Sequence, residues 1–365
     1  MTGEAAPCIN SSHVYTTDAG MSNYVWTVSA GGSITSGGGA GNNTATITWN
    51  TGGVQSVSVN YTNANGCTAA IPKTESISVY PLPVPTISGN PTACQNSTGN
   101  VYATEPGMTN YIWTVSAGGT ITSGGGITDN SVTVKWNNTG VQTITVNYTN
   151  INGCTAATPT SKSVTVNALP TPTISGPTPV CAGSTGNTYQ TELSKLNYIW
   201  TVPAGGVITA GGTGYDYVTV TWTTTGTKTI TVNYTDLIGC TAASATTYSV
   251  VVNALPVPTI TGNATACLGS TANTYTTETP MTNYLWTVSA GGTVTGGGTT
   301  ADNTVTVTWN TAGALTVSVN YTNAGNCTAT SATVKNVIVN ALPVPTIAGN
   351  SAACQGSTGN TYTAE

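Results

Sequence analysis

The sequence predicts an all-β protein built from tandem β-sandwich domains, and three observations lead to this prediction. Thr, Val, Asn and Gly fill nearly every segment, while Lys and Arg together number 6 and charged residues make up only 5 %. Apolar and polar residues alternate along most segments, which is the spacing of a half-buried strand rather than a helix. The whole pattern recurs about every 87 residues along the 365-residue chain, so one folded unit is repeated.

The repeat is marked by an aromatic segment that recurs at nearly constant intervals. It reads YVWTVSAGG at Tyr24, YIWTVSAGG at Tyr111, YIWTVPAGG at Tyr198 and YLWTVSAGG at Tyr284. A proline-rich segment such as PLPVPTISG from Pro81 also recurs once per period, and proline makes a stiff, extended connector. The predicted domains are residues 1–82 (with the first strand missing), 83–169, 170–255 and 256–342, with 343–365 beginning a fifth.

Within one repeat, short stretches of alternating residues predict six or seven strands separated by Gly, Asn and Asp turns. In the second repeat the predicted strands cover residues 86–88, 100–105, 110–116, 118–123, 131–136, 142–149 and 161–169. Val132, Val134 and Trp136 share one face of their strand, as do Ile144, Val146 and Tyr148. This number of strands in about 87 residues is typical of a β-sandwich of immunoglobulin type.

Each repeat contains two tryptophans, which we expect to fill the core because the chain has no phenylalanine. The first set lies in the third strand: Trp26, Trp113, Trp200 and Trp286. The second set shares its face with neighbouring valines: Trp49, Trp136, Trp222 and Trp309. A buried aromatic of this kind removes roughly 150 to 250 Å² from water. The alternative for the second set is an exposed platform on which a sugar stacks.

The nine cysteines form two series with the same period as the repeat. The predicted disulfide cysteines, paired within each repeat, are Cys8 with Cys67, Cys94 with Cys154, Cys181 with Cys240 and Cys267 with Cys327. Cys354 is expected to be unpaired because the chain stops before its partner would appear. A rival pairing joins neighbouring cysteines across the linker, such as Cys67 with Cys94, and free buried thiols are a further alternative. Disulfides indicate an oxidising, extracellular compartment.

Neither a catalytic nor a metal site emerges from the sequence. His13 is the single histidine, and the cysteines have no CxxC spacing, so we predict no triad, no zinc and no cofactor. A weak calcium site is the remaining cofactor candidate, since carboxylates recur at two positions. The first position is held by Asp18, Glu105, Glu192, Glu278 and Glu365, and the second by Asp129, Asp216 and Asp302. The other interpretation is that these are solvated turn residues.

The charge balance and the ends of the chain exclude several further classes. A net charge of −5 supplies no basic surface for nucleic acid or an anionic membrane. No apolar run approaches the roughly 18 residues of a membrane helix, so membrane insertion is not expected. The first residues, MTGEAAPCINSS, lack the basic and apolar regions of a signal peptide, so we expect a mature or excised piece.

Taken in order, the motifs NYxWTV, AGG, TVTW, VNYTN, GC and VNALPxP resemble the PKD-like, immunoglobulin-like repeats of very large secreted surface proteins of Bacteroidota. The resemblance covers essentially the whole chain, although WTVSAGG stands where the better-known PKD pattern has an aspartate-rich turn. The resemblance implies that the chain is part of an adhesin of gliding bacteria or of another cargo protein of the type IX secretion system. In such proteins, many modules of this kind lie between a signal peptide and a C-terminal sorting or anchoring domain.

We therefore expect a non-catalytic extracellular repeat array, a stalk or filament segment of a cell-surface adhesin. Its expected partners are neighbouring repeats or copies of itself, and also surface glycans or other cell-surface proteins. One alternative is a filament in which the segment TIAGNSAAC of one chain completes the first domain of the next by strand donation. Another is a carbohydrate-binding array of a secreted hydrolase, which would need exposed aromatics in a line.

Overall fold

The computed structural model describes residues 1–364, and six strands form the body of the first repeat. These are β1 (Ser12–Thr16), β2 (Ser22–Val28), β3 (Gly32–Gly37), β4 (Thr44–Trp49), β5 (Gly53–Thr62) and β6 (Lys73–Val79). One sheet has the order β1-β4-β3 and the other β2-β5-β6. Thr2 also pairs with Thr16, through N–H to O distances of 2.9 and 2.8 Å. Before β1 the chain forms only isolated bridges, so repeat 1 has one strand fewer than the repeats that follow it.

The second repeat has seven strands, because a short strand is added along the edge of its larger sheet. These are β7 (Thr92–Cys94), β8 (Asn100–Ala103), β9 (Thr109–Val115), β10 (Gly119–Gly124), β11 (Ser131–Trp136), β12 (Gly140–Thr149) and β13 (Thr160–Asn167). The sheets have the orders β7-β13-β12-β9 and β10-β11-β8. Strand β7 runs parallel to β13, whereas the other pairs are antiparallel. This arrangement is an immunoglobulin-like sandwich.

The third and fourth repeats have the same seven strands in the same order. The third contains β14 (Val180–Cys181), β15 (Asn187–Gln190), β16 (Leu196–Thr201), β17 (Gly206–Gly211), β18 (Tyr217–Trp222), β19 (Gly226–Thr235) and β20 (Thr246–Asn253). The fourth contains β21 (Thr265–Cys267), β22 (Asn273–Thr276), β23 (Thr282–Val288), β24 (Gly292–Gly297), β25 (Thr304–Trp309), β26 (Gly313–Thr322) and β27 (Thr333–Asn340). Beyond them β28 (Ile347–Ala348) pairs with β29 (Thr363–Ala364). The all-β class and the tandem sandwich domains are as the sequence predicts.

The chain divides into two compact units. The first comprises Met1–Leu169 together with Ile238–Cys240, and the second comprises Pro170–Leu237 and the chain from Thr241 onward. Repeats 1 and 2 lie in the first unit, and repeats 3 and 4 lie in the second, apart from Ile238–Cys240 of repeat 3.

Each sandwich has its own core, filled by the residues that alternate inward along the strands. In repeat 2, Trp136, Val134 and Ile144 are fully buried, and Trp113 is 7 % exposed. The members of the second tryptophan set are 0 % exposed in every repeat: Trp49, Trp136, Trp222 and Trp309. Trp26, Trp113 and Trp200 are also buried, and Trp286 is packed at the edge of its core. An exposed sugar platform built from these rings is therefore excluded.

A buried hydrogen bond joins the two largest fully buried side chains of each repeat. The indole Nε1 of Trp136 donates to the hydroxyl of Tyr102 at 3.1 Å, and the rings meet edge to face with centroids 6.2 Å apart. The equivalent pairs in the other repeats are Trp49 with Tyr15, Trp222 with Tyr189 and Trp309 with Tyr275. Without the partner, the buried N–H would be left unsatisfied at a cost of about 1–3 kcal/mol.

The recurring glycine runs form tight turns at the end of the strand that follows the AGG motif. Gly124 has φ 66°, and a Cβ there would lie 2.4 Å from the carbonyl oxygen of Ser131. A β-bulge between Ile121 and Ser123 precedes this turn. Glycine is thus required both for the left-handed backbone and for the close approach of the neighbouring strand.

Candidate functional site

Within residues 1–364, three disulfides join cysteines of different repeats, each across a sequence separation of 146 residues. Cys8 pairs with Cys154, Cys94 with Cys240 and Cys181 with Cys327, with Cα atoms 5.7, 5.5 and 5.6 Å apart. Each disulfide thus links the first cysteine of one repeat to the second cysteine of the next. Both the expected pairing within repeats and the rival pairing across the linker are wrong. The remaining cysteines, Cys67, Cys267 and Cys354, are free and exposed.

The sheet geometry explains why a repeat cannot pair its own cysteines. In repeat 2, Cys94 ends β7 beside Asn167, at the end of β13 where β12 begins. Cys154 lies in the loop after β12, near the start of β13. The β12–β13 ladder extends from the pair Gly140–Val166 to the pair Val146–Thr160, which at about 3.3 Å per residue is roughly 20 Å. A disulfide needs Cα atoms within about 7 Å.

The loop that presents the second cysteine is shaped by an asparagine at its start. In repeat 4, Asn323 Oδ1 accepts the N–H groups of Gly325 and Cys327 at 3.0 and 3.1 Å. The Asn323 N–H in turn donates to the Cys327 carbonyl at 2.9 Å. We call this segment, 323–327, and its equivalents 63–67 and 150–154 the receiving loop. Repeats 1 and 2 contain the same three kinds of bond.

Within the second unit, two side-chain hydrogen bonds flank the disulfide. Asn253, at the end of β20, donates through Nδ2 to the Gly325 carbonyl at 3.0 Å. Asn323 donates through Nδ2 to the carbonyl of Ala254 at 3.0 Å. The disulfide Cys181–Cys327 and these two bonds together hold the end of repeat 3 against the receiving loop of repeat 4. We call the surface around Cys181, Asn253 and Ala254 the donating end.

A recurring glutamate binds the proline-rich linker to the repeat that follows it. The Glu105 carboxylate accepts the Thr86 N–H at 3.2 Å, the Thr86 hydroxyl at 2.6 Å and the Thr104 hydroxyl at 2.6 Å. From the other side, Thr160 Oγ1 donates to the carbonyl of Pro85 at 2.6 Å. The same contacts recur around Glu192 and Glu278. The linker is therefore anchored to the following sandwich.

These hydrogen bonds also set the ionisation of the glutamate. Burial raises the pKa of Glu105, but the bonds from Thr104 and Thr86 outweigh it and lower the pKa to about 2. Glu192 and Glu278 also have a pKa lowered to about 2, with the same balance of burial and threonine hydrogen bonds. In repeat 4, the Tyr321 hydroxyl donates a 3.1 Å hydrogen bond to the Glu278 carboxylate. Burial and this hydrogen bond together raise the pKa of Tyr321 to about 12. The carboxylates are thus charged hydrogen-bond acceptors at neutral pH.

The carboxylates considered for calcium have separate structural tasks. Asp129 caps a turn by accepting the Gly126 N–H at 2.9 Å, and Asp302 accepts the N–H and hydroxyl of Thr299. Asp18 accepts the hydroxyl of Tyr61 at 2.5 Å. Glu365 lies outside the described residues. Within residues 1–364 no three His, Cys, Asp or Glu side chains cluster as a metal site would require.

His13 lies on β1, where its Nε2 is 2.8 Å from the Ser11 hydroxyl. It is partly exposed and belongs to the surface of repeat 1. The residues that sequence reasoning missed are the linker threonines and the asparagines of the receiving loop. Their only signal was recurrence, since Thr86 and Asn150 return once per period in PxPT and TNxNGC or its variants.

The PKD-like domain family matches four segments of the chain: residues 1–76, 80–164, 167–250 and 253–337. No curated protein matches it. Over the described residues, no helix has the length and apolar character needed to cross a membrane.

Several solved structures are similar at low identity. Invasin, a bacterial integrin-binding protein, is 15 % identical with a TM-score of 0.30, and the alignment covers 98 % of this chain and 83 % of that one. The ectodomain of human desmocollin-1 is 9 % identical with a TM-score of 0.26, covering 97 % and 83 %. The D1–D4 ectodomain fragment of ICAM-5 is 11 % identical with a TM-score of 0.34, covering 90 % and 99 %.

Proposed function

Since this chain belongs to the PKD-like domain family, with four tandem repeats along its length, we propose that it is a non-catalytic structural array of the cell exterior. In this proposal it is a stalk or filament segment of a cell-surface adhesin. The proposal extends to the setting implied by the sequence resemblance, a large surface protein of Bacteroidota exported by the type IX system. Its partners are neighbouring repeats, copies of itself and components of other cell surfaces.

The observation that carries the proposal is the constant register of the disulfides. Each of them spans 146 residues and joins one repeat to the next. A covalent bond at the junction, together with a linker anchored to Glu105 and its equivalents, restricts the bending of one repeat against another. Bonds that restrict bending between repeats serve no catalytic purpose, but they favour an extended, stiff protein that keeps its two ends apart.

The chemistry of the surface supports an extracellular location. Disulfides persist in oxidising compartments and are reduced in most cytosols.

Charged residues are 5 % of the chain, and all eight tryptophans lie in or against the cores. The aromatic row that a carbohydrate-binding array would need is therefore not formed by tryptophan, which favours the structural function over that alternative.

The proposal is tested by measuring bending with and without the disulfides. Single particles of the oxidised chain, imaged by negative-stain electron microscopy, are compared with a Cys8→Ser, Cys94→Ser, Cys181→Ser triple variant. We expect a narrow distribution of end-to-end distances for the oxidised chain and a broader one for the variant. A Cys67→Ser variant, which removes a free exposed thiol, is the matched control. Equal distributions for all three proteins would contradict a stiffening role.

A further inference from the structure

The turn between β17 and β18 carries two tyrosines, Tyr215 and Tyr217, that the same turn lacks in the other repeats. The indole Nε1 of Trp200 donates to the Tyr215 carbonyl at 2.9 Å. The equivalent indole bonds of the other repeats reach the carbonyls of Asn42, Asp129 and Asp302. Two positions further along, the residues equivalent to Tyr217 are Thr44, Ser131 and Thr304. The aromatic pair is therefore particular to repeat 3.

The two rings form an open corner at the edge of the smaller sheet. Their centroids are 5.8 Å apart and their planes are inclined at 63°. A Cβ at Gly211 would lie 2.8 Å from both Cδ2 and Cε2 of Tyr217, so the Tyr217 ring lies directly over this glycine of β17. Tyr215 is 56 % exposed, and Tyr217 is partly exposed. The backbone thus supports one ring from below, while the other ring stands beside it.

The hydroxyl groups of this pair are available to a ligand. The buried Tyr198 of the same repeat uses its hydroxyl internally, since it donates to the Glu192 carbonyl at 2.7 Å. Over the described residues, neither Tyr215 nor Tyr217 makes a hydrogen bond through its hydroxyl. A tyrosine ring has few rotatable bonds, so fixing it against a ligand costs little conformational entropy.

Uncharged polar side chains continue the surface beside the rings. Gln190 of β15 is exposed and lies directly opposite Tyr217 in the antiparallel ladder. The next pair on the same face is Thr188 with Thr219, whose hydroxyl oxygens are 2.9 Å apart. Two residues along a strand span about 6.6 Å, so these hydroxyls follow closely after the aromatic corner. The surface therefore combines aromatic faces with amide and hydroxyl groups.

We propose that the corner formed by Tyr215 and Tyr217 binds a neutral polysaccharide of β-linked pyranose units. Such a sugar ring presents C–H groups on its faces and hydroxyls around its rim. The C–H groups are attracted to the negative face of an aromatic ring, so a sugar face packs on Tyr217 with Tyr215 beside it. The rim hydroxyls then reach Gln190 and Thr219.

The surrounding groups favour a neutral sugar chain over two other occupants. An acidic polysaccharide would need a cation, and none of Gln190, Thr188 and Thr219 is charged. A proline-rich peptide also docks on exposed aromatic rings, but it would leave most of the amide and hydroxyl row without partners. A hydroxyl-rich ligand satisfies both the rings and the polar row.

This inference rests on the array function proposed above and names one component of other cell surfaces that the array would hold. It differs from a carbohydrate-binding array, because the other three repeats lack the aromatic pair. Since one chain then offers one site, firm attachment comes from many copies that bind the same polymer together.

The test is native affinity electrophoresis of the full chain in gels that contain hydroxyethylcellulose, xylan or galactomannan. We expect the polymer to retard the unaltered chain, and a Tyr215→Asn, Tyr217→Thr double variant to lose about tenfold or more in affinity. Repeat 1 carries these same two residues at the equivalent positions, so the sandwich accommodates them. The matched control is Tyr362→Asn, which removes a tyrosine that is 58 % exposed outside repeat 3 and should leave the retardation unchanged.

Chemical footprinting locates the contact. Tetranitromethane nitrates accessible tyrosine rings, and mass spectrometry of the digested chain measures the nitration of each one. A polysaccharide that retards the chain should lower the nitration of Tyr215 and Tyr217 and leave that of Tyr362 unchanged.

Several results would overturn the proposal. Retardation that persists in the double variant, or polymer that leaves the nitration of Tyr215 and Tyr217 unchanged, would mean that binding occurs elsewhere. A chain that is retarded by none of the three polymers, or only by the anionic polymer alginate, would exclude the neutral sugar. Binding of a labelled PLPVPTISG peptide without retardation by any polymer would assign the corner to proline-rich segments instead.

Failure of this test is distinct from failure of the array function. A chain that binds no polysaccharide but shows disulfide-dependent stiffness in electron microscopy would refute the sugar site only. A chain whose bending does not depend on its disulfides would refute the array function, whatever its tyrosines bind.

Discussion

Replacing Cys8 by serine and Cys154 by alanine removes the covalent link between repeats 1 and 2. Alanine is chosen at position 154 because the site is 0 % exposed and a serine hydroxyl there would need a partner. The disulfide closes a loop across 146 residues. In the chain-entropy model, its loss costs about 5 kcal/mol when both repeats unfold, and native disulfides of small domains typically contribute about 2–5 kcal/mol.

Hydrogen exchange followed by mass spectrometry locates the loss. Amides of β5, β12 and β13 should exchange faster in the double variant, with their opening free energy lower by about 2–5 kcal/mol. Peptides of repeat 4, which retains the disulfide Cys181–Cys327, serve as an internal reference and should be unchanged. The matched control is Cys67→Ala, which removes an exposed free thiol and should alter opening by no more than about 0.5 kcal/mol.

The Cys67→Ala control tests the pairing of Cys8 with Cys154 directly. If pairing occurred within the repeat, Cys67 would be the partner of Cys8 and its replacement would destabilise repeat 1 as much as the replacement of Cys8. Equal losses in the Cys67→Ala variant and the double variant would therefore contradict the pairing of Cys8 with Cys154. A double variant in which repeats 1 and 2 exchange as in the unaltered chain would contradict the energetic argument itself.

Three further predictions concern repeat 2. Tyr102→Phe leaves the buried Trp136 indole N–H without its acceptor and should lower the free energy of unfolding of the repeat by about 1–3 kcal/mol. Denaturant unfolding followed by tryptophan fluorescence measures this loss. An unchanged free energy of unfolding would mean that another acceptor replaces the hydroxyl. Because the pKa of Glu105 is lowered from 4.5 to about 2, its stabilising contribution is full above pH 4.5 and is lost as the pH falls through 2. Unfolding measured between pH 6 and 2 should show Glu105→Gln less stable than the unaltered chain at pH 6, with the difference vanishing near pH 2, and a difference independent of pH would exclude the charged acceptor. Gly119→Ala places a Cβ 2.6 Å from the ring of Trp136 and should cost about 1–3 kcal/mol by overpacking, visible as a lower thermal midpoint; an unchanged midpoint would show that the ring can move.

Alternation and recurrence were sufficient to predict the sandwich. The inward parity of Val132, Val134 and Trp136 fixes one face of β11, and the fourfold recurrence divides the chain into comparable units. These signals are local or periodic, and in repeat 2 the bounds of six strands follow from them to within a few residues. The predicted strand at residues 86–88 is instead an isolated bridge at Ser88, and β7 was not predicted. The Trp–Tyr hydrogen bond could not be predicted in the same way, because it joins β8 to β11 across 34 residues of sequence.

The disulfide register could not be read from a periodic sequence. Three pairings have the same period: within a repeat, across one linker, and from the first cysteine of one repeat to the second cysteine of the next. Spacing alone therefore does not choose among them. The choice depends on which end of β12 and β13 each cysteine occupies, and that is a property of the folded sheet. The linker contacts could not be predicted for a similar reason. Thr86 and Glu105 are 19 residues apart in the sequence, and only the folded chain brings them into contact.

The staggered disulfides also determine how tension would travel through the chain. A pull applied to residues before Cys8 and after Cys327 passes through the sulfur bridge to Cys154, along the backbone to Cys181 and through the next bridge. Only the short segment between Cys154 and Cys181 contributes backbone to this shortest covalent path. Fully extended, that segment can lengthen to about 90 Å, whereas the whole chain from Cys8 to Cys327 would reach about 1,100 Å if the bridges were absent. Most of every sandwich is thus shielded from the load, and the extension of the array under force is limited by covalent bonds even where its folded domains are weak.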